Sequence, residues 1–151
     1  MLPFKKILCP TDFSEPSYEA LKAATELALH FSAQIILVHV VPPLHVIPPA
    51  DTAATFNPLY VKEMEDAGKQ GLAKLAQEQI PDKVERKLTV IQGNPPDEIV
   101  RVASEEKADI IVIATHGTRG FQRFIFGSVA EKVVRISACP VMTIRAPKEQ
   151  S

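Results

Sequence analysis

Two short stretches of the chain, Gln34 to Val41 (QIILVHVV) and Asp109 to Ala114 (DIIVIA), are aliphatic at nearly every position. Neither alternates apolar with polar residues, as a strand with one wet face does. Each therefore reads as a strand covered on both sides, the property of a parallel sheet with helices on its two faces. Both are far shorter than the ~20 residues a bilayer crossing needs. The segments between them follow the other period. Residues 16–31 place Ala20, Leu21, Ala24, Leu27, Ala28 and Phe31 at helical steps, with Ser14 at the N-cap and Glu15 and Pro16 in the first turn.

The remaining elements continue the alternation. Phe4 to Cys9 is a strand stopped by Pro10, and Val84 to Ile91 is a strand that alternates more and so belongs nearer an edge. A helix is expected from Leu59 to Gln79, weakened in its middle by Gly68 and Gly71. Another opens at Pro95-Pro96-Asp97-Glu98, and a last one covers about Gly127 to Ser137 before a final strand, Val141 to Arg145. Residues 42–58 hold Pro42, Pro43, Pro48, Pro49 and Pro58, which excludes regular structure and predicts a long loop. The order βαβ-loop-αβαβαβ predicts an α/β fold: a single doubly wound domain with a five-stranded, mainly parallel sheet and helices on both faces. Its crevice lies at the carboxyl ends of the strands. The domain spans residues 1–146, and 147–151 form a polar tail.

A chain of 151 residues buries roughly 70% of its unfolded surface and needs no disulfide or metal to hold a core. Seventeen basic and eighteen acidic side chains give a net charge of −1, so bulk electrostatics recruits neither nucleic acid nor an anionic membrane. The N-terminus shows no signal-peptide pattern, and the expected location is cytoplasmic. Cys9 and Cys139 are too few for a disulfide framework or zinc site and read as two small buried thiols. The four histidines lack metal-ligand spacing.

Two segments should meet at the crevice: Pro10-Thr11-Asp12-Phe13 after the first strand, and the stretch from Ala114 after the fourth. The second contains Gly117 and Gly120 and reaches Gly127-Ser128 at a helix start. Glycines feeding a helix N-terminus form a phosphate cradle, because backbone N–H groups approach an anion closely and the dipole favours negative charge. A plain turn with Ser128 as N-cap fits the same residues. Other nucleotide and hydrolase patterns fail: no lysine precedes Ser128, no glycine follows the first strand before residue 68, and no GxSxG occurs.

Several segments, taken in order, resemble the universal stress protein family across nearly the whole chain. They are Lys6-Ile-Leu-Cys-Pro-Thr-Asp-Phe-Ser14, Leu37-Val-His-Val40, Gly93-Asn-Pro95, Ala108-Asp-Ile-Ile-Val112, and Gly127-Ser-Val-Ala-Glu-Lys-Val-Val134 with Cys139-Pro-Val141. The resemblance is to the ATP-binding branch, with its adenine nucleotide alpha hydrolase-like fold and its G-x2-G-x9-G-[ST] motif. Gly117 is the motif's second glycine, nine residues follow, and Gly127-Ser128 complete it, while Ala114 stands at the first position. The resemblance implies ATP, or ADP or AMP, as the bound cofactor, with Mg²⁺ carried by the phosphates. Pro10, Thr11 and Val40 would shape the adenine slot, and Asp12 would accept from the ribose or the adenine edge. Gly117, Gly127, Ser128 and Val129 would wrap the phosphates, with Arg119 screening their charge.

Those residues supply a binding apparatus without a base or lysine for fast chemistry, which favours a stress-response regulatory module over an enzyme. A slow adenine-nucleotide hydrolase and a family member that binds no nucleotide remain the two other readings, the latter resting on Ala114. The last strand carries no proline or inward charge over residues 141–144, and many family members dimerise there, so a homodimer through 141–145 is expected.

Overall fold

The structure is a computed structural model, which describes residues 1–43, 58–116 and 127–147. Every crossover in it returns the chain to the same end of one sheet. The elements run β1 (Lys6–Pro10), α1 (Glu15–Phe31), β2 (Gln34–Val41), α2 (Pro58–Gln79), β3 (Arg86–Gln92), α3 (Pro95–Glu105), β4 (Ile110–Ala114), α4 (Ser128–Ile136) and β5 (Val141–Ile144). The five strands lie in the order β3-β2-β1-β4-β5 and every neighbouring pair is parallel. The direction of winding reverses between β1 and β4, which makes their carboxyl ends the switch point of a doubly wound sheet. The alternating segment is indeed at an edge, as β3, and β5 forms the other.

Side-chain alternation divides the aliphatic runs between two cores. Ile7, Cys9, Ile35, Leu37 and Val112 face the helices α1 and α2, while Leu8, Ile36, Val38, Ile111 and Ile113 face α3 and α4. Ile7, Leu8, Ile35, Ile36, Leu37 and Ile111 are fully buried, each worth about 1.5–3 kcal/mol relative to exposure. No described helix is long and apolar enough to cross a membrane.

Local chemistry sets the helix ends. Ser14 caps α1, its Oγ accepting from the Ser17 N–H, with Pro16 in the first turn. Several boundaries differ from the sequence reading. β3 starts at Arg86 and not at Val84, because the Val84 N–H donates to the Pro81 carbonyl in a turn. Pro10 ends β1 from inside the ladder, paired with Val38. α4 begins at Ser128, with Gly127 as its N-cap. α2 runs unbroken through Gly68 and Gly71, since both positions press against the sheet side. A Cβ at 68 would lie 3.0 Å from His39 Cδ2, and one at 71 would lie 2.8 Å from Phe13 Cζ. Most of the proline-rich segment, residues 44–57, lies outside the described residues, as do 148–151 of the tail.

The two thiols differ, contrary to the expectation that both are buried. Cys9 is fully buried in β1, and Cys139 is half-buried before β5. Burial pushes the Cys9 thiol up from 9.0 to about 12. An unfolded chain releases that proton near pH 9 and the folded one keeps it until about pH 12. Stability from this group is therefore complete below pH 9 and falls as pH rises through the interval. In native protein at pH 8, iodoacetamide should modify Cys139 and leave Cys9 until the chain is unfolded; peptide mass mapping that finds Cys9 labelled first would contradict its placement.

Candidate functional site

The carboxyl ends of β1, β2 and β4 enclose a cavity of about 480 Å³ with the first turns of α3 and α4. That volume falls inside the range of about 300–1,000 Å³ for small-molecule sites. Pro10, Thr11, Asp12, Val40, Ala114, Gly127, Ser128 and Val129 all line it. Gly117 and Arg119, the other two expected site residues, lie outside the described residues.

After β1 the chain turns on its own hydroxyls. The Thr11 N–H donates to the Val38 carbonyl at 2.8 Å, and Thr11 Oγ1 accepts the Phe13 N–H at 3.0 Å. Ser17 Oγ donates to the Ser14 carbonyl at 2.7 Å, so in the 2.9 Å contact between Thr11 Oγ1 and Ser17 Oγ the threonine is the donor. The buried Thr11 hydroxyl has thus committed its proton to the turn. Asp12 Oδ1 accepts from both the N–H and the hydroxyl of Ser14, the residue that caps α1. Asp12 therefore caps this turn, and it holds an exposed carboxylate at the cavity wall.

On the opposite wall, β4 delivers Ala114 and then Thr115, whose N–H donates to the Ile144 carbonyl at 2.9 Å. The Thr115 carbonyl accepts the Gly127 N–H at 2.5 Å, so two residues twelve apart are joined backbone to backbone. This contact explains the glycine. Its φ of −53° suits any residue, but a Cβ there would stand 2.8 Å from the Thr115 oxygen. The Gly127 amide is consequently taken by the Thr115 carbonyl. Ser128 does not cap the helix: it follows the N-cap Gly127, and the cap has no side-chain hydrogen bond. The donors without an intrahelical acceptor are the amides of Ser128, Val129 and Ala130, at the positive end of the α4 dipole. Ala114, the residue that departs from the motif, sits in β4 with negative φ, so its methyl strains no backbone.

The apolar lining is richer than the sequence showed. Val38, Pro42, Pro95, Ile99 and Ile113 join Pro10 and Val40. Pro95 and Ile99 enter because α3 starts at the same sheet end as the other helices, a consequence of parallel topology that the Gly93-Asn94-Pro95 turn already signalled. Thr115 and His116, in the stretch expected at the crevice, also line the cavity, as does His39, which nothing in its spacing announced. His116 Nδ1 lies 2.9 Å from Thr115 Oγ1. Among the described residues no three His, Cys, Asp or Glu side chains are grouped to hold a metal ion. The lining thus combines apolar side chains with the amide-bearing start of α4.

Known proteins share both the sequence and this architecture. The model of the universal stress protein family matches residues 3–145. A universal stress protein of Methanocaldococcus jannaschii, MJ0531, is 36% identical over 149 residues, covering 97% of this chain and 85% of its own. The structure of the universal stress protein UspA from Lactobacillus plantarum superposes with a TM-score of 0.74 at 25% identity, covering 94% of this chain and 98% of that one. An Archaeoglobus fulgidus universal stress protein solved in complex with dAMP has the same fold, with a TM-score of 0.63 at 22% identity and coverage of 95% and 99%. Two cores around a parallel sheet, a cavity at its switch point and a match over nearly the full length lead to one assignment: the chain belongs to the universal stress protein family.

Proposed function

We propose that the chain binds an adenine nucleotide, ATP or its relatives ADP and AMP, in the cavity at the carboxyl ends of β1, β2 and β4, and works as a stress-response regulatory module. The observation that carries this reading is the division of one cavity into an apolar wall and a helix start with unpaired amides. The dAMP carried by a relative of the same fold supports it. Val40, Pro10 and Pro95 would flank the base, Asp12 would accept from the sugar, and the Ser128 and Val129 amides with the Ser128 hydroxyl would meet the phosphates. Gly117 and Arg119 would complete the phosphate side. Mg²⁺ would arrive on the phosphates.

Gly127→Val tests the site. The side chain would collide with the Thr115 carbonyl and part the two loop ends, displacing the first turn of α4. Calorimetry should show ATP affinity reduced by about 2–3 kcal/mol, the scale of a charge-assisted hydrogen bond or more, with unchanged far-UV circular dichroism. Equal affinities in variant and wild type would move the site elsewhere.

Turnover should be far below the ~1–100 s⁻¹ of dedicated kinases. His116 Nδ1 lies against the Thr115 hydroxyl, so that nitrogen is oriented by a hydroxyl and not by a carboxylate. Steady release of phosphate at several per second by purified protein, abolished in Gly127→Val, would make the chain an enzyme instead.

The homodimer is proposed through β5. Among the described residues this strand pairs only with β4 at the sheet edge, and its four residues are half-buried. Antiparallel pairing with a second copy would satisfy its outer N–H and C=O groups. Thr143→Pro removes one amide and kinks the strand. Light scattering should then give a dimer for wild type and a monomer or weaker dimer for the variant; a wild-type monomer at high micromolar concentration ends the claim.

A further inference from the structure

In the run QIILVHVV one polar side chain interrupts the aliphatic face that β2 turns toward α2. His39 follows Ile35 and Leu37 on that face, where a valine or leucine would fill the same space. Its ring has a specific partner. Strand pairing between β1 and β2 ends at Pro10 and Val38, and just beyond it His39 Nδ1 lies 2.8 Å from the Thr11 carbonyl oxygen. A carbonyl only accepts, so Nδ1 carries the hydrogen and the imidazole is fixed in that tautomer when neutral.

The same ring is held on two further sides. Phe13 packs against it with ring centroids 4.6 Å apart and planes inclined by 44°. α2 approaches closely behind both rings because Gly68 stands over His39 and Gly71 over Phe13, at distances a methyl group would not fit without displacement. Phe13 itself has φ of 62°, a left-handed conformation that a bulky residue adopts only when its surroundings impose it. The turn 11–13 is thus bound at the Thr11 carbonyl by His39, at the Phe13 amide by Thr11 Oγ1, and at the Phe13 ring by His39 and α2.

We propose that His39 is a positioning residue of the nucleotide site: its Nδ1–H holds the Thr11 carbonyl and thereby sets the turn that presents Thr11 and Asp12 to the cavity. The inference rests on the adenine-nucleotide reading for its ligand, and on the ligand-free geometry for its cause. Without that donor the turn relaxes toward the commoner conformations of Phe13, and only the fraction of molecules with the turn in place binds.

Leucine and asparagine have nearly the same shape, and asparagine can place an amide N–H about where Nδ1 stands. His39→Leu and His39→Asn therefore separate the hydrogen bond from the packing. The full-length proteins would be titrated with ATP by calorimetry, and amide hydrogen exchange at Phe13 and Ser14 measured without nucleotide; His39→Val replaces the leucine variant should that chain not fold. The leucine variant is expected to bind about tenfold more weakly and to exchange faster at both amides, while asparagine stays within about threefold of wild type. Wild-type affinity in the leucine variant overturns the proposal, as does an equal loss in both variants, which would make ring packing the cause. If wild type binds no ATP, the nucleotide reading falls by itself and exchange decides: faster exchange in the leucine variant alone supports His39 as the anchor of the turn, and equal rates in all three proteins overturn it.

Discussion

A sheet whose strands all run the same way has one end where every strand stops and every loop turns toward a helix. That constraint governs the rest of this molecule. Because β1 is followed by a crossover to one side and β4 by a crossover to the other, the chain diverges between two adjacent central strands. The gap cannot be filled by either helix layer, and a cavity remains there. The starts of α1, α3 and α4 all lie at the same end of the sheet, with their dipoles pointing positive toward that gap. Location and electrostatic sign are thus properties of the winding, before any particular side chain is considered.

Within that frame, backbone contacts shape the cavity as much as side chains do. The bond from the Gly127 N–H to the Thr115 carbonyl closes the connection between β4 and α4 at its neck and aims α4 at the cavity. Thr11 and Asp12 use their polar atoms first to build the turn into α1. Residues that a motif would name as ligand contacts thus have a prior structural task. Glycine at 127 serves the approach of one peptide to another, and the amides presented to the cavity belong to the residues after it.

The sheet, its parallel pairing and the position of the crevice were legible because uninterrupted aliphatic runs can satisfy only a two-sided cover, and helical spacing between them leaves one class of fold. Ser14 as a cap and Pro16 in the first turn were legible because capping is a local interaction. Eight of the ten residues that the family resemblance implied line one cavity, and the other two fall outside the described residues. Pattern reading fared worse with boundaries set by single bonds, as at Val84, and with Cys139, whose exposure depends on how the α4–β5 turn sits on the sheet.

The sequence by itself determined the order of elements, the two-faced core and the end of the sheet at which a ligand could enter. These follow from periodicity and chain direction, which are written in neighbouring residues. Only the tertiary structure decided which amides are free, that Gly68 and Gly71 seat two aromatic rings inside a continuous helix, and that His39 reaches the Thr11 carbonyl. The physical reason is that a hydrogen bond or close contact between residues 28 apart depends on angstrom-scale distances between elements, and packing fixes those distances after the pattern has chosen the fold.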